Sequence, residues 1–296
     1  MEAFHPIASR PIGAILMDRG LLTPEGAESI LKLQREAKLP FGDAAVQLGL
    51  LTEADIQFAL SQQFDYAYLP QTGDKPVSEE LLAAYRPFSH EVEVLRAIRS
   101  QLMLRWFDKS RDHRALAVVG TANGEGRSFL AANLAIVFSQ LGERTLLVDA
   151  DMRRPRQHRL FKIDNRVGLS SLLGGRSNGS SIVPVAAFSS LAVLPAGPTP
   201  PNPQELLGRA TFGQLLLEVG ADYDVILVDT PAAADCADAS MIATRVGAAL
   251  VVARRHETRV AAFAELVRTL AGAGVAVVGS ILNAPPPTTT PAEPVH

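Results

Sequence analysis

The chain of 296 residues holds a single cysteine, Cys236. No intramolecular disulfide is available, and nothing requires an oxidising compartment. Nor does any stretch supply the ~20 apolar residues that a bilayer-spanning helix needs; the most apolar run, Leu270 to Leu282, is shorter. The N-terminus, MEAFHPIASRP, has no apolar segment of the signal-peptide kind. Positive charge is not in excess. The 28 Lys and Arg stand against 31 Asp and Glu, for a formal net charge of −3, which argues against attraction of the whole protein to nucleic acid or anionic lipid. His113, His158 and His256 lack metal-ligand spacing, and Cys236 has no partner for a catalytic dyad. What remains is a globular composition, 47% apolar and 20% charged, with length for about two domains. We expect a cytoplasmic protein.

The first part of the chain repeats itself. IGAILMDRGLLTPEGAESILKLQ from Ile12 and FGDAAVQLGLLTEADIQFALSQQ from Phe41 align at an offset of 29, with Gly20/Gly49, Leu22/Leu51 and Thr23/Thr52 among the identical pairs. A repeat of this length is one supersecondary unit that buries its apolar face against its copy. Each copy reads as a short helix, a Gly-terminated turn and a second helix opened by Thr23–Pro24 or Thr52–Glu53. Residues 1–72 are therefore expected to form a small helical domain. Residues 73–90, with Pro, Gly and Asp around one short helix, read as a linker.

Beyond Glu91 the rhythm changes to short apolar runs separated by helical patterns. Candidate strands are Ala115–Val119, Thr145–Val148, Leu191–Leu194, Val225–Val228, Ala249–Val252 and Val275–Leu282. None alternates in hydropathy, as expected of strands covered on both faces. Helices at Ser128–Leu141, Gln204–Val219 and Arg259–Ala271 imply right-handed βαβ units, hence an α/β fold with a parallel P-loop sheet flanked by helices. This domain spans 91–283. The last residues, 284–296, are proline-rich without core-forming residues, and are expected to be disordered.

Three features carry chemistry. ALAVVG runs into TANGEGRSFLAANLA, a Gly-rich loop opening a helix, whose backbone N–H groups suit a polyphosphate. Gly124 and Gly126 allow close backbone approach, Ser128 stands where a Mg²⁺-ligating hydroxyl belongs, and Arg127 occupies the P-loop lysine position. TLLVDADMRRP and DVILVDTPA put Asp149, Asp151 and Asp229 at the carboxyl ends of strands, where ligands of parallel sheets bind. Any one aspartate is also explained as a strand end; three after a Gly-rich loop suggest carboxylates converging on a phosphate-bound metal. A basic cluster, Arg153, Arg154, Arg156 and Arg159, follows; it faces phosphates, a neighbouring subunit or simply solvent.

GEGRSFLAANLA, LLVDADMRRP, GLSSLLGG, LPAGPTPPNPQELL and YDVILVDTPA, in that order, resemble the bacterial tyrosine kinases of exopolysaccharide synthesis. These kinases are part of the ParA/MinD-like P-loop ATPases, and the EpsG-type, chain-length-determinant-associated kinases are the closest likeness. The resemblance implies ATP and Mg²⁺ as cofactors. It places Gly124, Glu125, Gly126, Arg127, Ser128 and Phe129 around the phosphates, with Ser128 and Asp229 on the metal. Asp149 and Asp151 would form the second Walker-type motif near metal and incoming hydroxyl, with Asp149 taking the tyrosine proton, and Asn283 would read the adenine. Glu93, Arg96 and Arg99 match the E-x-x-R-x-x-R pattern of subunit contacts in a ring; a solvated helix face with i,i+3 ion pairs explains them equally. A membrane chain-length determinant is the implied partner, with the protein peripheral at the inner membrane through it.

Two departures stand out. Arginine replaces the family lysine at Arg127, keeping charge but not the compact ammonium, so phosphoryl transfer, which depends on positioning, is expected to be weakened. The family's tyrosine-rich tail is also missing: the four tyrosines are Tyr66, Tyr68, Tyr85 and Tyr223. A catalytically impaired, ATP-gated scaffold is therefore the alternative to a working kinase. A partitioning ATPase of ParA/MinD type is a minor alternative, since Thr121–Ala122–Asn123 offers no lysine early in the loop.

The repeat resembles the N-terminal module of type II secretion and type IV pilus ATPases. Pro11–Gln34 and Pro40–Gln63, with Arg35–Leu39 between, reproduce the layout of cyclic di-GMP-binding motifs. Proline replaces the guanine-stacking arginine that opens each motif, although Arg10 adjoins Pro11. Docking to a membrane partner is the favoured reading; cyclic di-GMP binding is the other.

Overall fold

The computed structural model describes residues 11–63, 68–69, 73–111, 113–177 and 181–284. Arg10, Tyr66 and the tail from 285 onward lie outside them.

The repeat folds into α1 (Ile12–Asp18), α2 (Pro24–Ala37), α3 (Phe41–Gln47) and α4 (Glu53–Gln63). Gly20 at φ 70° and Gly49 at φ 65° make the two turns, in a left-handed region that a side chain would strain. Thr23 Oγ1 accepts from Gly26 N at 3.1 Å. Thr52 Oγ1 accepts from Asp55 N at 3.2 Å while the Asp55 carboxylate accepts from Thr52 N at 2.9 Å, a reciprocal cap. Helix α1 packs on α4 and α2 on α3, so each copy's short helix covers the other copy's long one. The core keeps the same symmetry: Ile15/Ala44, Leu16/Ala45, Leu22/Leu51 and Ile30/Ala59 are equivalent pairs, and all eight residues are buried.

The rest is a seven-stranded sheet in the order β3-β4-β2-β5-β1-β6-β7. Its strands are β1 (Ala115–Gly120), β2 (Thr145–Asp149), β3 (Val183–Pro184), β4 (Leu191–Leu194), β5 (Val225–Asp229), β6 (Ala248–Arg254) and β7 (Ala276–Asn283). All pairings are parallel except β3 with β4. Strand β3 was not expected, because two residues carry no periodic signal. Helix α7 (Arg127–Gln140) packs against β1, β2 and β5 and is buried along most of its length, which fits its lack of a polar face.

Two expectations are corrected. The single helix over 204–219 is two, α10 (Pro203–Gly208) and α11 (Ala210–Gly220), separated by Arg209 in an extended conformation at ψ 153°. The 73–90 segment is no free linker. Val77, Leu81, Ala83, Ala84 and Tyr85, around the short helix α5 (Leu82–Tyr85), are buried in the core beside α6 (His90–Arg105) and α7. Its backbone is anchored by α7: Ala83 N donates to Asn133 Oδ1 at 3.0 Å, and Gln140 Nε2 donates to Ala83 O at 3.0 Å. The remaining helices are α8 (Gln157–Leu160), α9 (Leu169–Leu173), α12 (Asp238–Val246) and α13 (Val260–Gly272). Among the described residues no helix is long and apolar enough to cross a membrane.

Candidate active site

Strand β1 ends at Gly120 and the loop enters α7 through Gly124 at φ 82° and Gly126 at φ 97°. A Cβ on Gly126 would lie 2.2 Å from Asn283 Nδ2, so glycine is required by closeness as well as by conformation. Asn283, at the end of β7, donates to Glu125 O at 3.0 Å, and Arg254, at the end of β6, donates to Gly124 O at 2.8 Å. The loop is thus held in shape from two neighbouring strand ends, leaving its own N–H groups and the α7 N-terminus for an anion.

Arg127 turns onto its own chain. Its Nε donates to Thr230 O at 3.1 Å and its Nη1 to Ala122 O at 2.5 Å, with Glu125 Oε2 at 3.6 Å. Glu125 is itself buried, and its Oε1 accepts from Thr121 Oγ1 at 2.5 Å and Thr258 Oγ1 at 2.6 Å. Thr230 and Thr258, with Arg254, are site residues that motif reading missed.

Parallel register sets Asp149 directly beside Asp229 at the ends of β2 and β5. Asp149 Oδ2 accepts from Arg156 N at 3.0 Å and Gln157 N at 2.9 Å. Gln157 Nε2 donates to Asp229 Oδ2 at 2.7 Å and to Ser128 O at 3.1 Å. Gln157 therefore ties both carboxylates to the first turn of α7, and nothing in the local sequence marked it. Both aspartates are fully buried, and each keeps one oxygen, Asp149 Oδ1 and Asp229 Oδ1, without a hydrogen-bond partner. Burial, then the Asp229 charge, holds the Asp149 carboxyl well above the usual carboxylate range. Burial also raises Asp229 to about 6, against the opposing hydrogen bonds of Gln157 and Ser128. Two sealed carboxylate oxygens with unmet demand, next to Ser128, form a hard-donor set that suits Mg²⁺ completed by phosphate and water.

The expected convergence of three carboxylates is corrected to a pair. Asp151 Oδ1 instead accepts from Arg153 N at 3.2 Å and Arg154 N at 2.8 Å, capping a turn. No group of three or more His, Cys, Asp or Glu side chains suited to a metal occurs among the described residues.

Beside the loop opens a cleft of about 720 Å³, lined by His90, Val94 and Ile98 of α6 and by Phe129, Leu282 and Asn283. Its size and apolar walls suit a nucleoside. The basic cluster is largely occupied within the chain: Arg153 pairs with Asp238 at 2.8 Å, Arg156 with Glu80 at 2.5 Å and Arg154 with Asp235 at 3.8 Å. On α6, Arg96 pairs with Glu93 at 3.0 Å and donates to the Tyr68 hydroxyl at 2.9 Å, while Arg99 donates to Val137 O at 2.9 Å.

Comparison with known proteins agrees with this geometry. The family model of the CobQ/CobB/MinD/ParA nucleotide-binding domain matches residues 116–285. The putative tyrosine-protein kinase CapB of Staphylococcus aureus is 33% identical over 201 residues, covering 68% of this chain and 87% of CapB. Tyrosine-protein kinase YwqD of Bacillus subtilis is 34% identical over 207 residues, covering 70% of this chain and 86% of YwqD. The solved kinase domain of the Escherichia coli tyrosine kinase ETK superposes with a TM-score of 0.68 at 30% identity, covering 79% of this chain and 90% of that domain. With its glycine loop, paired aspartates and parallel sheet in place, this chain belongs to the bacterial tyrosine kinase family of the MinD/ParA-type nucleotide-binding proteins.

Proposed function

We propose that the protein is an ATP- and Mg²⁺-dependent protein-tyrosine kinase that regulates exopolysaccharide chain length and export. The observation that carries this reading is the pair of unpartnered oxygens, Asp149 Oδ1 and Asp229 Oδ1, buried beside Ser128 at the mouth of the glycine loop. The loop from Gly124 to Phe129 would bind the phosphates through backbone N–H groups. Asp229, Asp149 and Ser128 would hold Mg²⁺, which when bound neutralises phosphate charge during transfer. Asp149 accepts the proton of the attacking tyrosine hydroxyl, and Asp151 shapes the turn that follows. Asn283, lining the cleft, meets the base.

In this reading the protein works at the inner membrane through a membrane chain-length determinant. Its repeat docks to that partner or binds cyclic di-GMP, and Glu93, Arg96 and Arg99 contact further copies. One observation favours the scaffold reading instead: Arg127 is engaged by Thr230 O, Ala122 O and Glu125, which draws its charge away from the phosphates. Incubating the full chain and the membrane partner with γ-labelled ATP separates the two. Label on tyrosine supports the kinase; ATP binding without label supports the scaffold.

A further inference from the structure

The 73–90 segment reaches the active site as well as the core. Glu80 Oε2 accepts from Arg156 Nη2 at 2.5 Å. Ser78 N donates to Leu160 O at 2.7 Å, and Lys162 Nζ donates to Lys75 O. Three contacts thus join residues 75–80 to residues 156–162, the stretch that contains α8. Arg156 is also the residue whose backbone N, together with Gln157 N, donates to Asp149 Oδ2. The side chain that Glu80 holds and an amide that holds Asp149 therefore belong to one residue. Glu80 is in turn fixed from α7, since Asn133 Nδ2 donates to Glu80 O at 3.3 Å, and it lines the cleft beside the glycine loop. Past the other end of α8, Lys162 stands at φ 52°, a left-handed conformation that a side chain disfavours, and its ammonium is the one anchored on Lys75 O. The side chains of Arg156 and Glu80 are 45% and 50% exposed. An ion pair this wet adds little to stability; what it does is set where Arg156 lies.

We infer that Glu80 is a positioning residue for phosphoryl transfer, holding Arg156 so that the Arg156 and Gln157 amides keep the Asp149 carboxylate in line. The inference rests on the tyrosine-kinase reading above. With Oδ2 fixed by the two amides, Asp149 Oδ1 is the oxygen left for the attacking hydroxyl. A misplacement of about 1 Å at a reacting group costs about a hundred-fold in rate, so a partial loosening of this turn is felt in transfer well before it is felt in folding. Were Arg156 instead to act directly on phosphate, Glu80 would compete for it, and removing Glu80 would raise transfer.

The test compares the full chain with Glu80→Gln, Arg156→Gln, Arg156→Lys and the Glu80→Gln/Arg156→Gln double variant, using γ-labelled ATP, Mg²⁺ and a random Glu–Tyr copolymer. Either glutamine variant should lower kcat about five- to ten-fold, with KM for ATP within about two-fold. The double variant should lose no more than either single one, because the two side chains act as a unit. Arg156→Lys keeps a cation opposite Glu80, whose contact is with one nitrogen, and should retain at least about half of the parent kcat. Tm should stay within about 3 °C of the parent throughout. In metal-free protein, the Arg156 and Gln157 amides should exchange with deuterium about ten-fold faster in Glu80→Gln, followed by nuclear magnetic resonance. Unchanged or raised kcat in Glu80→Gln, or unchanged exchange at these amides, overturns the inference and leaves the kinase reading standing. A fall in kcat matched by a Tm loss of more than about 5 °C overturns it too, as a defect of folding. No label on the copolymer from the parent overturns both.

Discussion

Arg127 Nη1 lies 3.6 Å from Glu125 Oε2, and both side chains are almost sealed from water. The residue that replaces the family lysine thus comes with a carboxylate two positions earlier in the same loop. Glu125→Gln removes that competing charge and leaves Arg127 to the phosphates. We expect ATP affinity to rise about three- to ten-fold, read by calorimetric titration with a non-hydrolysable analogue and Mg²⁺. Unchanged affinity would show that the pair does not restrain the site.

Arg127→Lys exchanges a fork held by two carbonyl oxygens for a compact ammonium. Transfer to tyrosine should rise in this variant, with little change in ATP binding. Equal transfer rates in variant and parent would remove arginine as the cause of any impairment.

The aspartate pair makes the metal-free protein pH-sensitive. Asp229 titrates at about 6 in the folded chain, above its ordinary value of 3.8, so the native state holds its proton more tightly than the unfolded state. The stability contributed by that proton is full below about 4 and lost as pH rises through about 6. Asp229→Asn should therefore raise Tm at pH 7.5, by roughly 2–6 °C for a domain of this size, while abolishing the further rise that Mg²⁺ and nucleotide give the parent. Thermal melts from pH 4.5 to 8 check both parts.

Gln157 bridges Asp229 Oδ2 and the Ser128 carbonyl. Gln157→Ala leaves the proposed metal ligands in place but unoriented. A drop of about ten-fold in Mg²⁺ affinity is expected, measured by competition with Mn²⁺ in electron paramagnetic resonance.

In the helical repeat, Ile30→Ala empties a fully buried position at the α1–α4 core. The expected loss is about 2–4 kcal/mol of stability, seen in urea unfolding followed by circular dichroism. ATP binding should be retained, because this cluster is separate from the two that surround the sheet.

Much of this architecture was legible in the residues for physical reasons. Strands covered on both faces show as unbroken apolar runs, as VILVD and TLLVD do. The repeat was visible because Leu22/Leu51 and Thr23/Thr52 serve the same burial and capping roles twice. What stayed hidden depends on contacts between distant residues. Gln157 reaches Asp229 across 72 positions, Asn283 reaches the glycine loop across 158, and the 73–90 segment is drawn into the core by Asn133 and Gln140 of α7. Asp151 belongs to the same motif as Asp149, and its Oδ1 caps the turn that follows by accepting from the Arg153 and Arg154 amides.

The most direct test of the central claim is phosphotyrosine formation by the purified full chain with γ-labelled ATP, Mg²⁺ and a tyrosine-containing acceptor, run beside Asp149→Asn. The account predicts alkali-stable label on tyrosine in the parent and at least about a hundred-fold less in the variant. Measurable ATP binding with no phosphotyrosine in the parent, or equal label in both proteins, would contradict it.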